Sequence, residues 1–349
     1  MLDDQKTRYA VGKPELDQKI EELIKLAGIK SETNRFREMM VTVLKFASDN
    51  PTSADILQFN RTMKEIRYAN KVFRPYAGIR RISIFGSARI QPHEIAYQAA
   101  EEFARMMREA GYMIITGGGG GIMAAAQAGA GREKSFALNI ALPFEQSANA
   151  TIAGDRKLIS FKYFFTRKLN FIKHSSAVVS FPGGVGTMDE TFEALTLMQT
   201  GKAAIVPVIL MDAPAAKINF WAPFNEFLKD HMLAKGLVSS DDFYLFKTTS
   251  NLEEARTDIL KFYHNFHSYR FIKDVCVIRI HREIPPSALK EINEEFTSVV
   301  EQGSLIEARS AFDEEASEGE ISHLPRLAFV LAKRKFGLLR KLIDRINEF

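Results

Sequence analysis

The sequence predicts an α/β fold, a doubly wound parallel sheet with a helical extension before it and a small α/β unit after it. Three observations lead there. From Arg81 onward, short apolar runs alternate with amphipathic helical patterns, the rhythm of a parallel sheet covered on both faces. Three of those runs end in glycine-bearing loops, at the strand ends where such sheets receive ligands. The residues before about 79 follow helical spacing throughout, and the rhythm changes again after about 265.

Taken in order, "LDQKIEELIKLAG" and "FREMMVTVLKFASD" place apolar residues three and four apart, so helices run from residue 14 to about 72, with Ser31 and Ser53 or Thr52 as candidate caps. "FRPYAGIR" closes this extension with a Pro and a Gly. "RISIF" is a first strand ending in "GSA"; "HEIAYQAAEEFARMMREAG" is a helix closed by Gly111; "YMIIT" is a second strand. "SFALNIALP", "AVVSF" and "AIVPVIL" follow as strands, with helical patterns between them, which makes residues 79–265 a Rossmann-like domain. In residues 266–349, "DVCVIRIHREI", "SLIEARSAF" and "RLAFVLAKR" read as strands, "PSALKEINEEFTSVVEQ" and "FGLLRKLIDRINEF" as helices, and "DEEASEGE" as an exposed loop. The domains expected are therefore 1–78, 79–265 and a βαββα unit over 266–349, open to a regulatory role.

At 349 residues and 46% hydrophobic, the chain is long enough for two or three domains. Lys and Arg number 47 against 43 Asp and Glu, a dispersed surplus that makes neither a nucleic-acid arm nor a membrane patch. The single cysteine, Cys276, excludes an intrachain disulfide and lies in an apolar run where a buried thiol is expected. A charged N-terminus and the lack of a long uncharged apolar run lead us to expect a cytoplasmic protein.

The chemistry-bearing stretch is "SFPGGVGTMDETFEALT", residues 180–196. Gly183, Gly184, Val185, Gly186 and Thr187 follow a strand and open a helix, so their backbone N–H groups can converge on an anion at the positive end of the helix dipole. The loop lacks the Lys of a Walker A motif, and a plain strand-to-helix turn is the competing reading. "TGGGGGIMAAAQAGAG", residues 116–131, offers Gly118 and Gly119 at a second strand end, and Gly86 and Ser87 offer a third wall. No acid ends the next strand to take a ribose, which argues against a dinucleotide fingerprint. Three such loops at one crevice point to a phosphorylated or nucleotide-like ligand. Asp189 and Glu190 are expected in the helix's first turn, where an acid either complements the dipole or serves a site. Glu190, Glu193 and Thr196 then recur every three residues as a polar stripe. Arg167 and Lys168 lie mid-helix in "FKYFFTRKLNFIKHS"; an Arg there suits a phosphate, while a surface pair is the alternative. His174 reads as a capping or core histidine, and no His or carboxylate cluster marks a metal site.

"PGGVGTMDE", "TGGGGGIM", "NIALPFEQ" and "FFTRKLNFIKHS" together resemble the LOG (Lonely Guy) family of nucleoside 5′-monophosphate phosphoribohydrolases, in its longer bacterial form, often mislabelled as lysine decarboxylases. The resemblance covers residues 79–265. It implies that Arg167 and Glu190, 23 residues apart, carry the reaction, and that Lys168, Gly184 to Thr187 and Thr196 line the nucleotide pocket. Ala124 and Val185 depart from the family pattern and bear on which substrate is taken. It further implies a homodimer or higher homo-oligomer whose subunits share each pocket. The expected reaction cleaves the N-glycosidic bond of a purine nucleoside 5′-monophosphate, AMP or a cytokinin ribotide, with no metal or other cofactor. A nucleotide-sensing or carrier protein of the same fold is the alternative, and the retained Arg167 and Glu190 favour turnover. No pyridoxal phosphate constellation supports a decarboxylase.

Overall fold

The computed structural model describes residues 9–140, 148–214, 219–315 and 319–349. The chain divides into two compact units between Arg67 and Tyr68. In the first, α1 (Pro14–Leu26) and α2 (Thr33–Ser48) bury Ile20, Ile24 and Val41 against Val11, Ile29 and Met40. The next helix, α3 (Ser53–Phe73), is capped as expected by Thr52, whose hydroxyl accepts the Asp55 N–H at 3.2 Å. Ser31 does not cap: Glu32 holds the residue before α2, in a left-handed conformation at φ 54°.

The second unit contains a seven-stranded parallel sheet in the order β4-β3-β2-β1-β5-β6-β7. Its strands are β1 (Arg81–Phe85), β2 (Met113–Thr116), β3 (Ser135–Ile140), β4 (Leu158–Phe161), β5 (Ala177–Ser180), β6 (Val208–Met211) and β7 (Lys247–Thr249). Side chains alternate between two apolar layers, as the period-2 geometry of a strand demands. Ile82 and Ile84, Ile114, Val179 and Ile209 face α4 (Ile95–Glu109) and α5 (Ile122–Ala130). Phe85, Met113 and Ile115, Val178 and Leu210 face the layer holding Phe171 of α6 (Phe164–His174) and Ala194 of α7 (Val185–Gln199). Burial on both faces explains the near-continuous apolar runs read from the sequence. The remaining helices of this part are α8 (Ala222–Phe227) and α9 (Leu252–Phe262). The fold is Rossmann-like, and its strand order reverses between β1 and β5, which opens a crevice beyond their carboxyl ends.

Two sheet strands escape the sequence reading. β4 has four residues, and β7 has three, "KTT", so neither is long enough to show a period. The expected strand "AIVPVIL" begins only at Val208, one residue beyond Pro207. Residues 141–147, which include most of "NIALPFEQ", lie outside the described residues.

The C-terminal part is a four-stranded antiparallel sheet, β10-β11-β9-β8, covered by α10 (Pro286–Glu295) and α11 (Phe336–Ile346). Its strands are β8 (Phe266–Ile272), β9 (Val275–Ile280), β10 (Glu307–Arg309) and β11 (Arg326–Val330). β8 precedes the expected βαββα pattern and pairs with β9 across Lys273, whose φ of 53° makes the turn. Cys276 is fully buried, as expected of a structural thiol. The segment expected as an exposed acidic loop departs from that reading at Glu315, which is buried. It accepts from Arg279 at 2.6 Å, Arg326 at 3.2 Å and the Phe312 N–H at 3.1 Å. Residues 316–318 of that segment lie outside the described residues.

Candidate functional site

Three loops meet at the crevice, stitched by backbone hydrogen bonds. The Ser87 N–H after β1 donates to the Pro182 carbonyl after β5, and the Ser87 carbonyl accepts the Ile122 N–H at the start of α5, each at 3.0 Å. Gly121 makes the second contact possible: its φ is 58°, and a Cβ there would run into the backbone of Ser87 and Ala88. Gly86, packed on Ile122, belongs to the same junction. The Ser87 hydroxyl is already occupied, accepting the Arg89 N–H at 3.1 Å.

The glycine run after β2 is held from below and from the side. Gly118 spends its N–H on the Thr116 hydroxyl at 3.0 Å. The Asn149 side-chain amide donates to the carbonyls of Gly118 at 3.1 Å and Gly119 at 3.0 Å and to Gln127 Oε1 at 2.6 Å. Asn149 Oδ1 is buried without a hydrogen-bond partner among the described residues. Nothing in the short polar stretch "SANA" marks Asn149 as a brace.

After β5, Gly184 caps α7, and the helix begins at Val185. Gly184, Val185 and Gly186 are exposed, while Thr187 is buried and turns its own N–H back to the Gly184 carbonyl at 3.0 Å. First-turn N–H groups have no helical partner, so this open end can receive an anion. Starting at Val185, the helix puts Asp189 and Glu190 in its second turn, with no acid in the first. The expected first-turn placement is therefore corrected: glycine 186 offers no steric bar to helix, and entry moves upstream. Glu190 is not a cap.

Below that end, the Thr191 hydroxyl lies 2.7 Å from the Ser180 hydroxyl and donates to the Thr187 carbonyl, also at 2.7 Å, fixing α7 on β5. This holds Glu190 at 6% exposure. Its Oε2 has no hydrogen-bond donor among the described residues. Burial pushes its carboxyl above the ordinary range; Lys168 and Arg167 pull it down, and Glu193 and Asp189 push it up. Thr196, two turns on, is exposed beside Phe192 and Leu195 rather than next to Glu190, so the expected polar stripe runs from the interior to the surface.

Arg167 comes from α6 and is braced by β3. Its Nε donates to the Leu138 carbonyl at 2.8 Å, and its guanidinium lies over the Phe171 ring, 5.2 Å from the centroid. A Cβ on Gly117 would stand 2.8 Å from its Nη2, so the glycine run leaves room for this guanidinium. Lys168 lies among carboxylates: its Nζ is 2.7 Å from Glu193, 2.9 Å from Asp189 and 3.5 Å from Glu190. Burial lowers the Lys168 pKa, but these carboxylates more than offset it and hold it above its usual value. His174 ends α6 stacked on Phe73 at 3.8 Å, with burial lowering its pKa to about 3. It is the core histidine expected.

This geometry defines a class first: a doubly wound α/β protein with a glycine-walled crevice at its switch point, holding a buried carboxylate beside a braced guanidinium. Residues 123–259 match the family model described as "Possible lysine decarboxylase". That match contains α6, the Pro182–Glu190 segment and α7, in agreement with the resemblance to the LOG family, whose longer members often carry this label. No curated protein matches the chain. Among solved structures, the chain is similar to a molybdenum cofactor binding protein from Rippkaea orientalis (21% identity, 52% of this chain and 96% of that one, TM-score 0.34). It is also similar to the molybdenum cofactor carrier protein from Chlamydomonas reinhardtii (18% identity, 52% and 98%, TM-score 0.34). A third is the DNA processing protein A from Helicobacter pylori (18% identity, 53% and 82%, TM-score 0.34).

Among the described residues, no group of three His, Cys, Asp or Glu is arranged to hold a metal ion, and no helix is long and apolar enough to cross a membrane.

Proposed function

We propose that the chain hydrolyses the N-glycosidic bond of a purine nucleoside 5′-monophosphate, giving free base and ribose 5-phosphate. The observation that carries this reading is Glu190: a buried carboxylate outside any capping position, with one oxygen lacking a hydrogen-bond donor among the described residues, beside Arg167. Breaking the bond between the base and C1′ leaves positive charge on the ribose. A carboxylate facing that carbon stabilises the charge and takes a proton from the attacking water, whose oxygen bonds to C1′ as the base departs with the bonding pair; the base takes its proton from solvent, and the carboxyl group returns its own to solvent. Arg167 holds the phosphate or the departing base. The exposed N–H groups of Gly184 to Gly186, with Gly86, Ser87, Gly118 and Gly119 as walls, orient the phosphoribosyl group.

We further propose that the protein works in the cytoplasm as a homo-oligomer, with residues 79–265 as the catalytic domain and the flanking regions regulating it. Apolar residues exposed on both site helices support self-association: Phe164, Phe165 and Leu169 on α6, Val185 and Phe192 on α7.

The test is release of free base from AMP, GMP, IMP, CMP, UMP and isopentenyl-AMP by the wild type and Glu190→Ala. Release that falls by about 10²-fold or more in the variant supports the reading. Tight AMP binding without release from any substrate overturns it in favour of a nucleotide sensor or carrier.

A further inference from the structure

The Lys168 ammonium has three donors and three carboxylates around it, and the distances are unequal. Glu193 at 2.7 Å and Asp189 at 2.9 Å are at hydrogen-bond length, whereas Glu190 Oε2 stands at 3.5 Å and receives no hydrogen bond. Glu190 and Glu193 are three residues apart on α7 and share a face, so both can reach a cation presented by α6. The ammonium lies on the Glu193 side. Only part of it is open to solvent, the Lys168 side chain being 15% exposed, so its neighbours rather than water decide where it points.

That choice matters for a carboxylate facing a ribosyl cation. A lysine hydrogen-bonded to Glu190 would neutralise it, lower its basicity and set a positive charge against the charge developing on the sugar. We propose that Glu193, with Asp189, is a positioning residue that holds the Lys168 hydrogen bonds and so keeps the ammonium 3.5 Å from Glu190, near enough to attract its charge but not hydrogen-bonded to it. The inference rests on the reading of Glu190 as the reacting carboxylate. Glu193 acts through Lys168 and touches no reacting atom. The charged groups facing Glu190 are Lys168 and Arg167 from α6 and Asp189 and Glu193 from its own helix, and each enters the balance. Burial raises the affinity of Glu190 for a proton although Lys168 at 3.5 Å lowers it.

The experiment is a side-chain carboxyl titration by ¹³C NMR on the full chain, in wild type, Glu193→Gln, Lys168→Met and the double variant, with the Glu190 signal assigned by its loss in Glu190→Gln. Glu193→Gln keeps the side-chain shape, and Lys168→Met keeps an unbranched apolar stem without the ammonium. The expected result is a Glu190 midpoint that falls by about one pH unit in Glu193→Gln, as Lys168 swings onto the free oxygen, and rises in Lys168→Met. In the Lys168→Met background, Glu193→Gln should lose most of its effect, because the residue it steers is gone. The acid limb of kcat/KM for base release should move in step with the midpoint. An unmoved or raised midpoint in Glu193→Gln overturns the proposal, as does an equal shift with and without Lys168, which would mean through-space charge alone. The titration reads the clamp whether or not base is released. A clamp that behaves as described in a protein releasing no base would sink the glycosidase reading alone, and base release with unmoved midpoints would sink the clamp alone.

Discussion

At the scale of single residues, Glu190 pays for its position in stability. Burial raises its proton affinity in the folded chain above that of the unfolded chain, so the folded state binds the extra proton. The sign follows: stability linked to this group is fully present below the unfolded carboxylate pKa and is lost as pH rises through the folded value. Glu190→Gln imitates the protonated form at every pH. It should raise Tm relative to wild type at neutral pH, with the gap closing as pH falls into the carboxylate range. Differential scanning calorimetry across that range checks this, and a variant less stable than wild type at neutral pH would mean that Glu190 is held by stabilising contacts. The neighbouring residues divide by how legible they were. Arg167 and Glu190 could be picked out because an arginine and an acid flank a glycine loop at fixed separation. The Lys168 partners and the Asn149 brace could not, because both depend on helices and loops meeting in space.

Among secondary-structure elements, the long buried ones were readable and the short or two-faced ones were not. The strands β1, β2, β3 and β5 are buried on both faces, and β1, β2 and β5 lead into glycine-bearing loops, so composition alone marks them. "FHSYRFI" of β8 mixes polar and aromatic residues, carries a register shift between Phe266 and Ser268, and has no clean alternation to read. The start of α7 was misplaced for a related reason: glycine reads as loop, yet Gly186 lies within the first turn. Glu315 is the sharpest case. Its surroundings in sequence are acidic and small, but two arginines from neighbouring strands draw it inside. Although burial pushes its carboxyl upward, the Phe312 N–H, Arg279 and Arg326 together hold it below the ordinary range. Its contribution is therefore present above the unfolded carboxylate pKa and lost as pH falls through the folded value. Glu315→Ala removes the buried carboxylate that Arg279 and Arg326 share and should cost about 3–5 kcal/mol. Chemical denaturation of the variant against wild type measures it, and a loss below about 1 kcal/mol would show that the arginines find other partners.

For the whole molecule, the arrangement of the second unit explains why α6 and α7 carry both the site and an unpartnered apolar surface. They pack on the same face of the sheet, one bringing Arg167 and Lys168, the other Asp189, Glu190 and Glu193, and their outward sides leave Phe164 at 50%, Leu169 at 48% and Val185 at 86% exposed. Single exposed apolar residues are ordinary; several on two adjoining helices beside a binding loop call for a cover. A second copy of the chain meeting this face would shield Val185, which sits in the proposed anion loop, and would exclude water from the crevice where the proposed reaction would develop charge on the ribose. The expected outcome is a wild-type mass of two chains or more by light scattering, and a shift to a single chain in Phe164→Glu and Leu169→Glu, which introduce like charges where the copies would meet. Base release should fall with the mass, since an open crevice returns the carboxylate to water and weakens its hold on the cation. A wild type that runs as one chain while releasing base would remove the need for a partner: the crevice would then be complete within a single chain, and the apolar residues on α6 and α7 would need another explanation.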